Sequence, residues 1–143
     1  MTKLYEEEAG HGFVTCLGSS SMFLAVGYSS GTVVVYNLES EVISPVHKGE
    51  NYEIEHTFSF HKTSVTALNF SDEDTCLVSG GSDTHIVMYD LVASKAEYKL
   101  TGHTDSICRL QTLVTMHPTK GSRQRNLISA AKDGLLKVWD LDR

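Results

Sequence analysis

Two sets of side chains carry the residue types of a hydrolytic site. His61, Ser79 and Asp83 form one, and His103, Ser129 and Asp133 form the other. A histidine placed between a serine hydroxyl and a carboxylate is the arrangement that activates a serine nucleophile. Here the set occurs twice at matching places in a repeat, closed once by Tyr89 and once by Trp139. A catalytic centre would not be built twice at strand connections, so both sets are expected to be structural and no catalytic residue is assigned. Gly27-Tyr-Ser-Ser-Gly31 matches the Gly-x-Ser-x-Gly nucleophile elbow, with Ser29 as its serine. That elbow needs a strand before it and a helix after it. The run that follows, Thr32 to Tyr36, reads as a second strand, so the segment is expected to be a turn and a serine hydrolase is the remote alternative.

Other chemistry is sparse. His11, His47, His56, His85 and His117 are scattered without metal-ligand spacing, which points to surface or loop positions and to no metal site. Gly80-Gly81 lacks the Lys-Ser/Thr pair and the helix of a phosphate-binding loop, and no cofactor or small-molecule substrate is expected. Lys120, Arg123 and Arg125 form a basic cluster in a stretch, residues 114–125, that reads as a long polar loop. It is the candidate contact for RNA or an acidic partner, although no aromatics stand beside it for base stacking. The formal net charge of −6 argues against broad binding to nucleic acid, because phosphate contacts need a surplus of Lys and Arg. The three cysteines, Cys16, Cys76 and Cys108, are odd in number, contain no Cys-x-x-Cys pair and sit in β-like apolar stretches. Buried, reduced thiols of an intracellular protein are expected. No apolar run reaches the roughly 18 residues of a membrane span, and the start, Met1 to Glu8, does not read as a signal peptide.

The elements that must position these residues come as a repeat. Phe23 to Leu38, Cys76 to Leu91 and Asn126 to Leu141 align as strand, tight turn and strand. Ser82-Asp83 and Lys132-Asp133-Gly134 supply turn chemistry, and the flanking residues are β-branched or aromatic, as strands prefer. A shorter strand with period-two alternation precedes each copy: Val14 to Leu17, Val65 to Phe70 and Ile107 to Thr112. Glu53 to Phe60 and Glu97 to Leu100 read as fourth strands of the first two units. No amphipathic helix of ten residues is found. Two long loops, residues 39–52 and 114–125, lengthen the repeat.

These copies resemble the WD-repeat family. Its signature is a Gly-His before the first strand of a unit and a Trp-Asp at the end of the third. The third copy has both, as Gly102-His103 and Trp139-Asp140; the second has His61 and Tyr89-Asp90; the first is degenerate, with Tyr36-Asn37. More narrowly, Leu24-Ala-Val-Gly-Tyr28, Ser79-Gly-Gly-Ser-Asp-Thr-His-Ile86, Tyr98-Lys-Leu-Thr-Gly-His-Thr-Asp-Ser-Ile107 and Val138-Trp-Asp-Leu-Asp142 are similar to the first propeller of the Dip2-like WD-repeat proteins of the small-subunit processome. The wider resemblance implies four-stranded blades and, within a blade, a hydrogen-bonded line of four side chains. That line would be His103, Ser129, Asp133 and Trp139 in the third unit and His61, Ser79, Asp83 and Tyr89 in the second. In the first unit Val26 and Ser30 replace the Ser and Asp, so the line is absent there.

The expected fold is therefore all-β: a fragment of a WD-repeat β-propeller with about three blades, near residues 13–60, 65–100 and 107–141, the last lacking its outer strand. Four to eight blades close such a ring, so three are expected to be part of a longer protein or to be completed by other copies, and the isolated chain is expected to self-associate. The resemblance implies a non-catalytic scaffold of a large ribonucleoprotein assembly, in small ribosomal subunit biogenesis and pre-rRNA processing. It further implies a nucleolar location, mostly indirect contact with RNA and no membrane partner. The alternative is a WD-repeat adaptor in degradation, trafficking or chromatin.

Overall fold

The computed structural model describes residues 10–38, 53–71, 74–116, 119 and 121–141. They form three antiparallel sheets, with no α-helix among the described residues. The first sheet is β1 (Val14–Ser19), β2 (Phe23–Tyr28), β3 (Val33–Asn37) and β4 (Glu53–Phe58), paired in chain order. The second is β5 (Val65–Phe70), β6 (Cys76–Gly81), β7 (Ile86–Asp90) and β8 (Lys95–Leu100), again in order. The third has three strands: β9 (Ile107–Met116), β10 (Arg123–Ala131) and β11 (Leu136–Asp140). The first strands β1, β5 and β9 pack side by side, so the sheets stand as adjacent propeller blades with these strands innermost.

Two apolar layers join the blades. Between blades one and two, Ala25, Val33, Val35 and Phe58 meet Val65, Leu77, Val87 and Tyr89. Between blades two and three, Val78, Ile86 and Met88 meet Ile107, Leu110 and Leu127. Blade two thus has a leading face toward blade one and a trailing face toward blade three, and the faces of the other blades are named in the same sense. Because the side-chain period of a strand is two, alternate residues of each central strand serve the two layers.

The inner strands depart from the expected simple alternation. The register shifts between Val14 and Cys16, between Val65 and Ala67, and opposite Ala130/Ala131 between Ile107 and Arg109. Each shift is a β-bulge at the second residue of the strand, at Thr15, Thr66 and Cys108. An extra residue lets positions three apart share a face. Val65 and Leu68 therefore both face blade one, and Ile107 and Leu110 both face blade two. In the first two blades the bulged threonine donates its hydroxyl to the opposing glycine carbonyl, Thr15 to Gly27 at 3.1 Å and Thr66 to Gly80 at 3.2 Å.

The β9–β10 hairpin also corrects an expectation. Residues 114–116 and 123–125 are strand, paired as Met116 with Arg123 and Arg125 with Val114. The ladder continues outward because its backbone partners remain available, although the polar residues there mask a strand pattern. The long loop 39–52 lies outside the described residues, as do His47, His117 and Lys120.

Cysteine burial is mixed. Cys76 is buried, Cys16 is half-buried and Cys108 is exposed, each of them free. Cys108 departs from the expectation because it occupies the bulge of β9, where the side chain leaves both packed layers. Burial pushes the Cys16 thiol up from its ordinary value, against hydrogen bonds with Thr15 and Gly27.

Candidate functional site

The two His-Ser-Asp sets assemble at equivalent places in blades two and three. In blade three the His103 Nδ1 lies 2.8 Å from Asp133 Oδ2, and its Nε2 lies 2.7 Å from Ser129 Oγ. Trp139 Nε1 donates to the same hydroxyl at 2.9 Å. The proton count fixes the roles: Asp133 accepts from Nδ1–H, Nε2 accepts from Ser129, and Ser129 accepts from the indole. Asp133 also accepts from the backbone N–H of Thr104 at 3.1 Å and of Leu135 at 2.9 Å. The carboxylate thereby ties the segment before β9 to the β10–β11 turn.

Blade two repeats the arrangement. His61 Nδ1 is 3.1 Å from Asp83 Oδ1, and His61 Nε2 is 2.7 Å from Ser79 Oγ. Asp83 accepts from Lys62 N at 3.1 Å and His85 N at 3.2 Å. The Ser79 and Tyr89 hydroxyls are 3.2 Å apart, and either can donate. While the Ser79 proton goes to His61, the phenol supplies the proton of the last link. Tyr89 thus serves where blade three uses Trp139. Burial pushes the Tyr89 hydroxyl up to about 12, against its bond with Ser79, so it keeps its proton.

In blade one the line is replaced by apolar packing. Val26, Tyr28, Val34 and Tyr36 form a separate buried cluster with Leu24 beside it. Val26 occupies the column of Ser79 and Ser129, and Tyr36 the column of Tyr89 and Trp139. The same location is held together by hydrogen bonds in blades two and three and by apolar contact in blade one.

The electrostatics make this network sensitive to acid. Burial lowers the pKa of His61 below its ordinary value; the charges of His85 and Lys99 act the same way, while Asp83 opposes them. Burial alone would raise the Asp83 carboxyl, but hydrogen bonds from His61, Lys62 N and His85 N hold it low. Asp133 likewise resists its desolvation and is held at about 2 by Leu135 N, His103 and Thr104 N. A histidine with a lowered folded pKa binds fewer protons folded than unfolded. Its contribution is intact above the unfolded value of about 6.5 and declines as pH falls through that value. The depressed carboxylates contribute fully above about 3.9 and lose their effect below it. Unfolding midpoints should therefore fall between pH 7.5 and 5.5, and His61→Gln should shrink that difference. An equal pH difference in the two proteins would show that His61 does not set it.

The remaining predicted positions scatter. Ser29 lies in the turn between β2 and β3, where its Oγ accepts from Phe13 N at 3.1 Å; a strand follows the turn, as the sequence pattern requires. His56 is on strand β4, with Nδ1 2.7 Å from Ser94 Oγ of blade two. No group of three or more His, Cys, Asp or Glu is placed to hold a metal among the described residues. Of the basic cluster, Arg123 is exposed and Arg125 lines a small cavity with Ser71, Thr112 and Leu141, where Ser71 Oγ is buried without a partner. No helix among the described residues is long and apolar enough to cross a membrane.

Sequence reasoning missed two features of the junctions. One is a bond network between blades two and three: Thr112 donates from its N at 3.2 Å and its Oγ1 at 3.0 Å to Asn69 Oδ1. Nothing in the repeat flags it. The other is the glycine column Gly27 and Gly80, which lies under the first residue of the next blade. The aligned copies hold that column as Gly27, Gly80 and Ala130, but small residues there give no sign of the side chain that packs on them.

Comparison with known proteins agrees with this architecture. The chain is 27% identical over 153 residues to mitochondrial division protein 1 of Schizosaccharomyces pombe, an alignment covering 92% of this chain and 23% of that protein. It is 30% identical over 121 residues to WD repeat and FYVE domain-containing protein 2 of Caenorhabditis briggsae, covering 84% of this chain and 25% of that one. The chain thus spans about a quarter of the length of these curated relatives. The crystal structure of Saccharomyces cerevisiae Sqt1 superposes with a TM-score of 0.71 at 18% identity, over 89% of this chain and 30% of that one, which shows the shared fold. The Vps8 β-propeller family profile matches residues 2–140. Together with the blade order and the twice-built His-Ser-Asp line, this match establishes that the chain belongs to the Vps8 β-propeller family, within the WD-repeat β-propellers.

Proposed function

We propose that the chain works as a rigid, non-catalytic scaffold that holds other macromolecules together. One observation carries the reading: Ser79 and Ser129 have 0% exposure and lie behind buried histidines, bonded to Tyr89 and Trp139. No substrate reaches those hydroxyls, and the bonding capacity of both sets is spent on joining loops to strands. What is left for partners is the surface of a stiff sheet array, and turns on a rigid frame suit recognition.

The assembly we favour is the one implied by the segments Ser79 to Ile86 and Tyr98 to Ile107: small ribosomal subunit biogenesis, with the protein in the nucleolus and RNA contacted mostly through other proteins. The second reading is an adaptor in another complex. It is supported by relatives whose names concern mitochondrial division and a FYVE domain, and by the Vps8 profile. In either case Lys120, Arg123 and Arg125 are the candidate contact for RNA or an acidic partner.

Affinity purification of the full-length protein from cells, with both proteins and RNA identified, tests the reading. Stable co-purifying proteins are expected. Precursor ribosomal RNA and small-subunit assembly factors among them support the ribosomal placement, and their absence from a defined complex favours the adaptor. A protein that recovers no partner and hydrolyses acyl esters in a Ser29-dependent way would overturn the scaffold.

A further inference from the structure

A tight turn occupies the same place in each of the three blades, and each carries a residue in the left-handed region: Gly31 with φ of +93°, Thr84 with +74° and Gly134 with +83°. The residues before them are Ser30, Asp83 and Asp133. Blade three thus follows the carboxylate that anchors its line with a glycine. Asp133-Gly134 is the single Asp-Gly pair of the sequence, which has no Asn-Gly. Packing does not demand that glycine. A Cβ at Gly134 would meet nothing within 4 Å, whereas one at Gly31 would overlap the His61 carbonyl. Blade two makes the same turn with a β-branched residue.

In an Asp-Gly pair the glycine nitrogen can reach the preceding carboxyl, because no side chain hinders its approach and its backbone angles are wide. Ring closure here joins the Gly134 nitrogen to Asp133 Cγ. The Cγ–O bond breaks, and the oxygen leaves as water with the amide proton and the carboxyl proton. Solvent water then opens the succinimide. Attack at Cγ restores aspartate. Attack at the Asp133 main-chain carbonyl gives isoaspartate, in which the main chain runs through Cβ and Cγ and the carboxylate sits directly on Cα.

The folded line opposes each requirement of that chemistry. Asp133 Oδ2 accepts from His103 Nδ1–H and Thr104 N–H, and Oδ1 accepts from Leu135 N–H. Against desolvation, which would raise it, these bonds hold the carboxyl at about 2, so the protonated form that loses water is scarce at neutral pH. The Gly134 nitrogen is committed as well, donating to Ala131 O at 3.2 Å. We propose that Asp133-Gly134 is a self-modification site gated by the line: opening of blade three frees the carboxyl and the nitrogen together, and isoaspartate then removes the anchor for good. The product lacks the methylene that carries the carboxylate out to His103 and Thr104. It also lengthens the turn between β10 and β11 by one carbon, against the pairing of Ala130 with Leu136. In blade two the β-branched side chain of Thr84 stands beside the attacking nitrogen, so Asp83 is protected even when its own line opens.

The test ages the full chain at neutral pH. Isoaspartate is located by peptide mass spectrometry with electron-transfer fragmentation and counted by an isoaspartate-specific methyltransferase. A synthetic peptide of residues 126–141 gives the ungated rate. Isoaspartate is expected at Asp133 and not at Asp83, roughly tenfold or more slower than in the peptide. His103→Gln should raise the rate at Asp133 about tenfold, because a lost charge-assisted bond enlarges the open population by that factor. Gly134→Thr, which copies blade two, should abolish it. A urea series on the unaltered chain reads the gate without substitution: the rate at Asp133 should climb as the near-UV signal of Trp139 is lost. Isoaspartate forming in the native chain at the peptide's rate, or a rate that stays flat through the urea series, would overturn the gate. A peptide that isomerises while Asp133 stays intact in the unaltered chain, in His103→Gln and in urea would overturn the site.

Discussion

Gly31→Ala is expected to destabilise the chain by roughly 2–5 kcal/mol, with loss of the junction between blades one and two. Gly31 has φ of +93°, which an L side chain rarely adopts. A Cβ there would also overlap the backbone carbonyl of His61 and stand 2.9 Å from Thr63 O. Neither atom can give way cheaply, because His61 is held by Asp83 and Ser79 in the blade it begins. The strain and the overlap each contribute. Ser29→Ala, two residues earlier, removes only the bond from Phe13 N and should cost about 1 kcal/mol or less. Denaturant unfolding of the two variants beside the parent measures the contrast. A Gly31→Ala protein as stable as Ser29→Ala would show that the turn does not press on His61. The same pair bears on function, since the Gly-x-Ser-x-Gly likeness comes from a turn whose second glycine is there for clearance between blades.

Much of this architecture was legible because a repeat shows the same answer three times. The aligned copies identified the central strands and placed His61, Ser79, Asp83 and Tyr89 beside their counterparts in blade three, and the structure brings both sets within hydrogen-bonding distance. The bulges were not legible. Val65-Thr-Ala-Leu alternates on paper, yet Val65 and Leu68 share a face because Thr66 is extra in the ladder. A backbone irregularity leaves no mark on hydrophobic periodicity. The outer end of the β9–β10 hairpin was hidden for another reason: Arg123 is exposed and Gln124 and Arg125 are half-buried polar residues, so no apolar alternation marks the strand there. Cys108 looked buried because its neighbours Ile107 and Leu110 are, and the bulge turned it out.

Ser129→Ala should lower stability by roughly 2–4 kcal/mol, far more than removal of one hydroxyl ordinarily costs. The side chain has 0% exposure and links two groups at once: it donates to His103 Nε2 at 2.7 Å and accepts from Trp139 Nε1 at 2.9 Å. Alanine removes the partner of both ring nitrogens, and each orphaned group costs about 1–3 kcal/mol. His103 would also lose what holds its ring toward Asp133, loosening the bond from Thr104 N that anchors the start of blade three. Tyr89→Phe provides the matched comparison in blade two. It removes one end of the line while Ser79 still bonds His61, so about 0.5–1.5 kcal/mol is expected. Denaturant titrations should therefore rank Ser129→Ala well below Tyr89→Phe, with near-UV circular dichroism reporting a changed environment for Trp139, the single tryptophan of the chain. If the two substitutions cost the same, the serine is not the hub of the line, and the strength of blade three lies in its apolar layer with Ile107 and Leu127 instead.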